Sequence, residues 1–214
     1  MSEAVSGPPF EQPASFSFTP QNMEAAKAII AKYPPGRQAS AVIPLLYLVQ
    51  EQHDNWVPRA AMDEVARILD MAPIRVYEVA TFYTMFNLRP VGRWHLQVCT
   101  TTPCWLRGSD EVVAACRQKL GIDVNETTAD GMFTMTEVEC LGACVNAPVI
   151  QINNGDFYED LDAASTERLL EALAKGERPK IGPQVERQLS APIGGKQTLT
   201  TDPTRRSGET KNAP

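Results

Sequence analysis

The sequence lacks a hydrophobic run long enough to cross a membrane. Its longest unbroken apolar run is Ala41–Val49, which is far below the roughly 20 residues that a spanning helix needs. The N-terminus also lacks the basic, apolar and cleavage regions of a secretion signal, and it is not Arg-rich like a transit peptide. We therefore expect a folded cytoplasmic protein with no membrane span of its own.

An excess of basic residues is missing as well. The 214 residues include 20 Lys and Arg against 26 Asp and Glu, which gives a formal net charge of −6. A nucleic-acid-binding protein needs a basic surface to meet the phosphates, so no nucleic-acid partner is expected. Apolar residues make up 43% and charged residues 21% of the chain, as is usual for a folded protein.

The motifs of nucleotide binding and acid–base catalysis are also absent. Neither GxGxxG nor GxxxxGKS/T occurs, and the only histidines are His53 and His95. His53 lies beside Asp54 at a predicted helix end, and His95 lies in a predicted strand. We expect both histidines to be structural and expect no catalytic residues in this chain.

Proline marks both ends of the chain. Residues 1–20 and 176–214 hold nine of the 17 prolines, so 1–18 and 177–214 are predicted to be extended or disordered tails. The C-terminal tail has seven Lys and Arg against four Asp and Glu. This charge suits either a solvated tail or a strap along an acidic partner.

Helical periodicity extends from Thr19 to Asn87. Thr19 followed by Pro20 is a typical N-cap and first helical residue. The aromatic residues near the end of this region, including Phe82, Tyr83 and Phe86, are expected to be buried core. The four predicted helices begin near Pro20, Ser40, Pro58 and Pro73.

The pattern changes to strands at Trp94. Trp94, Leu96 and Val98 alternate with polar residues up to Cys99, which is the period of a strand. A helix over 109–120, strands over 132–138, 149–152 and 157–160, and a helix over 162–175 follow, with a hairpin turn at 153–156. The predicted fold class is α+β, with an N-terminal four-helix domain at 19–90 and a βαββα domain with one mixed sheet at 91–176.

Four of the five cysteines form two pairs at predicted strand ends. Four residues separate Cys99 from Cys104, three separate Cys140 from Cys144, and 35 lie between the pairs. Because those 35 residues contain one helix and one strand, the chain is expected to return to the same end of the sheet. Thiols stay reduced in the cytosol, so these cysteines are more readily metal-binding or catalytic than disulfide-bonded.

Four kinds of site compete for these thiols. A 2Fe–2S cluster takes four cysteines, and tetrahedral zinc takes the same ligands but favours two-residue spacing within a pair. Disulfides do not suit the cytosol, and a thioredoxin-type redox pair needs a Cys-x-x-Cys spacing that neither pair has.

Other residues of the two loops fit a cluster. Gly142 lets backbone amides approach the sulfur atoms, and Thr100–Thr102 offer hydroxyl groups either to sulfur or to turn contacts. Cys116 lies inside the predicted helix 109–120. It is expected to be a buried apolar side chain without a ligand role.

Three segments form a specific combination. They read Cys99-Thr-Thr-Thr-Pro-Cys104, Cys140-Leu-Gly-Ala-Cys144 and Val76-Tyr-Glu-Val-Ala-Thr-Phe-Tyr-Thr-Met-Phe86. Together, over about residues 20–175, they resemble the small iron–sulfur subunit (E or 24 kDa type) of NADH:quinone oxidoreductase, respiratory complex I. The resemblance implies a helical domain followed by a thioredoxin-like ferredoxin domain. It further implies that Cys99, Cys104, Cys140 and Cys144 ligate one 2Fe–2S cluster.

The resemblance also implies an electron-transfer function within a larger enzyme. In that family a neighbouring flavoprotein subunit binds FMN and NADH, and single electrons pass to iron–sulfur centres. The implied partners are this flavoprotein and other subunits of the peripheral arm, at the cytoplasmic face of the inner membrane. Two alternatives stay open: the equivalent diaphorase subunit of an NAD-linked hydrogenase or formate dehydrogenase, and a zinc-stabilised interaction module. Ala147-Pro148 occupies the place where thioredoxin-like folds often have a cis proline.

Overall fold

The computed structural model describes residues 10–195 and residue 198. Seven α-helices and one six-stranded mixed sheet make up the regular structure of these residues. The helices are α1 (Pro20–Ile30), α2 (Val42–Gln52), α3 (Arg59–Leu69), α4 (Pro73–Phe82), α5 (Thr102–Leu106), α6 (Ser109–Leu120) and α7 (Ala163–Ala174). The strands are β1 (Trp94–Cys99), β2 (Glu126–Thr127), β3 (Phe133–Val138), β4 (Ile150–Ile152), β5 (Asp156–Glu159) and β6 (Gly182–Pro183). No helix in this part of the chain is long and apolar enough to span a membrane.

The four N-terminal helices share one hydrophobic cluster. The α1 helix begins as predicted, because Thr19 Oγ1 accepts a hydrogen bond from the Asn22 amide at 3.2 Å and Pro20 is the first helical residue. The helix predicted from Ser40 starts as a 3₁₀ turn and becomes α-helical only at Val42. Fully buried residues of this cluster include Ala26, Leu45, Leu46, Val49, Val65 and Val76.

The fourth helix is shorter than its aromatic pattern predicts. It ends at Phe82, and Tyr83 has an extended backbone with φ −87° and ψ 107°. The expectation that Phe82 and Tyr83 are buried is wrong, because their exposed fractions are 76% and 38%. Since the chain turns after the helix, Phe86 still enters the core. Periodicity predicts which face a side chain occupies only for as long as the helix continues.

Both end segments pack against these elements where the structure describes them. Residues 10–18 contain no helix or strand, but Phe18 is buried and the Phe10 ring lies 5.5 Å from the Trp56 ring. Residues 177–195 run beside the sheet, where the short strand β6 pairs in parallel with β5. Apart from residue 198, the remainder of the two predicted tails lies outside the described residues.

The central strand β1 organises the sheet. The strand order is β2-β3-β1-β4-β5-β6, and β1 pairs in parallel with β3 and antiparallel with β4, so the sheet is mixed as predicted. Trp94, Leu96 and Val98 belong to a second hydrophobic cluster with residues of α6 and α7. His95 and Gln97 on the opposite face are buried too, so both faces of β1 are covered.

The predicted hairpin turn joins the sheet to the helical segment. Asn153 and Asn154 have φ values of 51° and 55°, as a type I′ turn requires at both central positions. The Asn55 side chain donates a hydrogen bond to Asn153 Oδ1 at 3.2 Å, and the Asn154 side chain donates one to the Met85 carbonyl at 2.9 Å. The turn therefore fixes the helices against the sheet.

The two long helices beside the sheet begin differently. The α7 helix has a capping box in which the side chains of Asp162 and Ser165 bond each other's backbone amides. The α6 helix starts at Ser109, as the predicted range 109–120 has it, and Gly108 with φ 93° takes the cap position. Since the tight turn after α5 requires this left-handed conformation, the glycine precedes the helix and Ser109 lies in its first turn.

Candidate metal centre

Both cysteine pairs lie at one edge of the sheet. Cys99 is the last residue of β1, and its register partner in the parallel strand β3 is Val138. Because parallel strands end at the same edge, the loops that carry Cys104 and Cys140 begin side by side. Cys144 opens the short 3₁₀ turn Cys144–Asn146. The chain thus returns to the same end of the sheet, as the spacing predicts.

The first pair is buried. Cys99 and Cys104 are each 2% exposed and belong to a small apolar cluster that includes Val149. The Cys99 amide donates a hydrogen bond to the Val149 carbonyl at 3.1 Å, and Cys99 Sγ lies 3.2 Å from Thr101 Oγ1. Thr101 is also the N-cap residue of α5, the helix that brings Cys104 beside Cys99.

Burial and hydrogen bonding act in opposite directions on the first pair. Burial alone raises the pKa of the Cys99 thiol, but hydrogen bonds from Thr101 and Cys104 outweigh it, and the net pKa is lowered. Burial, together with the nearby Cys99 sulfur, raises the pKa of Cys104 to about 12. Cys99 is therefore favoured as the thiolate, and Cys104 keeps its proton.

The second pair is exposed, and a backbone amide of its own loop contacts sulfur. Cys140 Sγ and Cys144 Sγ are 3.3 Å apart. Gly142, with φ 81°, places its amide nitrogen 3.4 Å from Cys140 Sγ. The hydrogen bond from the Gly142 amide lowers the pKa of Cys140, whereas the contact with Cys140 raises the pKa of Cys144. Each pair thus holds one thiol with a lowered pKa and one with a raised pKa, and the latter would give up its proton if it bound a metal ion.

The two pairs face each other across Thr101. Its hydroxyl lies 3.2 Å from Cys99 Sγ and also acts to lower the pKa of Cys140, while the charge of Cys99 acts to raise the pKa of Cys144. Among the described residues, no three His, Cys, Asp or Glu side chains form a set that could hold a single ion. The four sulfurs are therefore arranged as two facing pairs. Their apolar and amide-rich surroundings fit a sulfur-ligated cluster.

A polar contact next to the second pair was not predicted from the sequence. Asn146, the last residue of the 3₁₀ turn, is 1% exposed, and its Oδ1 accepts a hydrogen bond from Arg187 Nη1 at 2.6 Å. Arg187 also lies 3.5 Å from Asp160 Oδ1. No local pattern indicates this contact, because Arg187 lies 41 positions after Asn146 in the sequence.

The fifth cysteine and the histidines lie away from the thiol pairs. Cys116 is fully buried in the sheet cluster, and burial raises its pKa to about 12, so the expectation of a buried apolar side chain is confirmed. His95 is buried with Nε2 2.9 Å from Thr136 Oγ1. His53 caps the C-terminus of α2 and packs against Trp56. These contacts are those of histidines packed within the fold, and a structural role for both stays a prediction.

Sequence comparison decides the family. The pattern of the family described as Thioredoxin-like [2Fe-2S] ferredoxin matches residues 26–174. The chain belongs to this family. Its members are named for a 2Fe–2S cluster, and the four thiols at the sheet edge fit that cofactor. This ferredoxin also has the cis Ala147-Pro148 bond before β4.

Close relatives of this ferredoxin are components of NADH dehydrogenases. The E-type component of the NADH-quinone oxidoreductase of Rickettsia typhi is 56% identical over 157 residues, which are 73% of this chain and 92% of the relative. The mitochondrial NADH dehydrogenase [ubiquinone] flavoprotein 2 of Dictyostelium discoideum is 52% identical over 188 residues, which are 88% of this chain and 76% of the relative.

A solved structure shares the fold of this ferredoxin. The crystal structure of an NAD+-reducing [NiFe]-hydrogenase in the H2-reduced state superposes with a TM-score of 0.53 at 22% identity. The superposition covers 63% of this chain and 22% of that chain. At this identity the likeness concerns the fold alone.

Proposed function

We propose that this chain is the electron-transfer subunit of an NADH:quinone oxidoreductase and that its paired cysteines hold one 2Fe–2S cluster. The complex is supported by the names of the Rickettsia typhi and Dictyostelium discoideum relatives, which are 56% and 52% identical to this chain. The observation that carries the cluster is the meeting of two cysteine pairs at one sheet edge. When bound, such a cluster accepts and donates one electron at a time. The proposed ligands are Cys99, Cys104, Cys140 and Cys144.

The pairing of the thiols favours two metal ions over one. Each iron of a 2Fe–2S cluster takes two protein ligands, whereas structural zinc is surrounded by four ligands at once. Cys140 Sγ and Cys144 Sγ lie 3.3 Å apart, Cys99 and Cys104 interact with each other, and no set of three in the described residues suits a single ion. Cys99 and Cys104 would hold one iron, and Cys140 and Cys144 the other. Thr101 would then hydrogen-bond ligands of both pairs.

Exposed apolar side chains near the cysteines support docking on a partner. Trp105, Leu106 and Val145 are 57%, 71% and 70% exposed, and each lies within two residues of Cys104 or Cys144. Large apolar side chains that are exposed together near a candidate site are typical of interaction surfaces. We place the flavoprotein subunit that binds FMN and NADH against this edge, so that the proposed cluster faces the flavin.

The two separate hydrophobic clusters support a division into two domains. One cluster draws its buried residues from 18–86 and the other from 94–173, and they share no residue. The helical domain would comprise 19–90 and the thioredoxin-like domain 91–176. With the other peripheral-arm subunits, the chain would lie at the cytoplasmic face of the inner membrane.

Metal analysis of the anaerobically purified chain tests the cluster. Iron, zinc and acid-labile sulfide are assayed, and visible and EPR spectra are recorded before and after dithionite. About two irons and two sulfides per chain are expected, with an EPR signal only after reduction. One zinc and no colour, even after reconstitution with iron and sulfide, would support a zinc-stabilised interaction module instead.

Single substitutions test the ligands. Cys140→Ala and Cys144→Ala should each lower the iron and sulfide content, since each removes a ligand atom and supplies no other donor. Cys116→Ala is the matched control and should retain both, because Cys116 is buried away from the pairs. Subunits that co-purify with the chain then distinguish an NADH:quinone oxidoreductase from a hydrogenase or formate dehydrogenase.

A further inference from the structure

The C-terminal segment reaches back to the turn that carries Cys144. Arg187 Nη1 donates hydrogen bonds to Asn146 Oδ1 at 2.6 Å and to the Val145 carbonyl at 3.3 Å. Asn146 Nδ2 in turn donates to the Leu189 carbonyl at 3.2 Å. The contacts therefore run in both directions between the 3₁₀ turn Cys144–Asn146 and residues 187–189.

Strand β5 and the residue after it complete the anchor of this turn. The Asn146 carbonyl accepts a hydrogen bond from the Asp160 amide at 2.7 Å, and Asn146 Nδ2 donates one to Glu159 Oε2 at 2.5 Å. The Gln184 amide donates to the Glu159 carbonyl at 2.9 Å. Asn146 is thus fixed from the sheet edge and from the C-terminal segment together.

The buried charges at this anchor are poorly suited to stabilising the fold by themselves. The side chains of Arg187 and Asp160 are 8% and 7% exposed, and their closest nitrogen–oxygen distance is 3.5 Å. Arg187 Nε and Asp160 Oδ2 have no hydrogen-bond partner among the described residues. A buried ion pair with unmet hydrogen bonds repays little of its desolvation cost. The shorter contacts of the guanidinium go to the turn rather than to the carboxylate.

We propose that Arg187 is a positioning residue for the second cysteine pair, resting on the proposed function of Cys144 as a cluster ligand. Its guanidinium holds the Val145 carbonyl and the Asn146 side chain, and so fixes the turn that presents Cys144. It also places a buried positive charge beside that ligand, paired with the negative charge of Asp160. Cations near an iron–sulfur cluster raise its reduction potential, and anions lower it.

The test measures two properties of the full-length, cluster-loaded chain. One is the rate at which visible absorbance is lost to an iron chelator, and the other is the midpoint potential from an EPR-monitored titration. Arg187→Met should lose the cluster about tenfold faster than the wild type. Residues that support metal ligands typically change metal affinity or activity by about 10- to 100-fold, and this expectation lies at the lower end of that range. Its potential should fall, whereas that of Asp160→Asn should rise. Arg187→Lys, which keeps the charge, should restore the potential but not the full kinetic stability.

Arg178→Met is the matched control. Arg178 belongs to the same segment, but its side chain is 71% exposed and 3.9 Å from Asp156, so both readouts should stay at wild-type values. The Arg187→Met and Asp160→Asn variants should shift the potential in opposite directions. If the two residues only supported the fold in general, both variants would lose stability, and their potentials would not shift in opposite directions. Asn is chosen at position 160, where φ is 53°, because it tolerates a left-handed backbone.

The outcomes separate this proposal from the proposed function. If the wild-type chain holds a cluster but the Arg187 variants match Arg178→Met in both readouts, Arg187 does not position the pair. If Arg187→Met does not fold, Asp160→Asn and Arg187→Lys carry the test. An Asp160→Asn potential equal to the wild type, or a cluster that Arg187→Lys loses no faster than the wild type, overturns the proposal. A wild-type chain that takes up no iron and sulfide overturns both.

Discussion

The free energy of unfolding should decrease between pH 7 and pH 5, and replacing His95 by glutamine should remove much of this decrease. His95 is 3% exposed in β1, and its Nε2 lies 2.9 Å from Thr136 Oγ1. Its Nδ1 has no hydrogen-bond partner among the described residues. Burial lowers the pKa of His95 from 6.5 to about 4, because the charged imidazolium loses its hydration without gaining a partner.

The sign of the effect follows from which state binds the proton first. In the unfolded chain His95 is protonated as the pH falls through 6.5, whereas in the folded chain it stays neutral until about pH 4. The contribution of neutral His95 is therefore fully present above pH 6.5 and is lost as the pH falls towards 4. The difference in pKa corresponds to about 3 kcal/mol at most, and about 2 kcal/mol of it is lost between pH 7 and pH 5.

Thermal unfolding followed by circular dichroism at both pH values measures this loss. For a chain of this size, 1 kcal/mol changes Tm by about 2–4 °C, so the drop in Tm should be about 4–8 °C smaller in His95→Gln, in samples matched for iron content. Thr136→Val is the control, because it removes the hydrogen bond but leaves the imidazole buried, and its pH dependence should resemble the wild type. An equal drop in His95→Gln and the wild type would refute the reasoning.

Three further substitutions probe the segment between α4 and β1, the cap of α7 and the proposed docking surface. In urea denaturation, Gly92→Ala should lower the free energy of unfolding by about 1–3 kcal/mol, because the new Cβ would lie 2.7 Å from the Phe133 backbone carbonyl carbon. Gly155→Ala, with contacts no closer than 3.8 Å, is its control. Asp162→Ala should cost about 1 kcal/mol at pH 7, and less in acid, since hydrogen bonds from Ser165 lower the pKa of Asp162 and the cap is lost as the pH falls through that pKa. In calorimetric titration, Trp105→Ala should weaken flavoprotein binding by about 2 kcal/mol and leave the cluster spectrum unchanged.

Elements with a strong local pattern could be predicted from the sequence. The period-2 pattern places β1 at Trp94–Cys99, as observed, because alternation and the strand end coincide there. The turn at 153–156 could be recognised because asparagine tolerates the left-handed conformation that Asn153 and Asn154 adopt. The cysteine edge of the sheet also followed from the spacing, since one helix and one strand return the chain to its starting side.

Elements that depend on distant partners could not be predicted. The strands β2 and β6 have two residues each, which is too short for any periodicity, and they exist only because β3 and β5 offer free edges. The exposure of Phe82 depends on where α4 stops, and nothing in the aromatic spacing indicates that point. Arg187 is one arginine in a basic tail, and only the folded chain brings it to Asn146.

The two halves of the candidate centre are supported in different ways. Cys99 and Cys104 lie in an apolar cluster under the sheet edge, so their surroundings are built by the same packing that forms the fold. Cys140 and Cys144 are exposed, and the hydrogen bonds and charges near them come from their own loop and from the C-terminal segment. Because hydrogen bonding and solvent exposure around sulfur tune an iron–sulfur centre, the exposed pair is the half on which a change outside the core can act. The C-terminal segment contacts the turn of Cys144 on that side, whereas the exposed apolar residues Trp105, Leu106 and Val145 adjoin both pairs. The surroundings of the buried pair are therefore fixed with the core, whereas those of the exposed pair depend on its own loop and on the C-terminal segment.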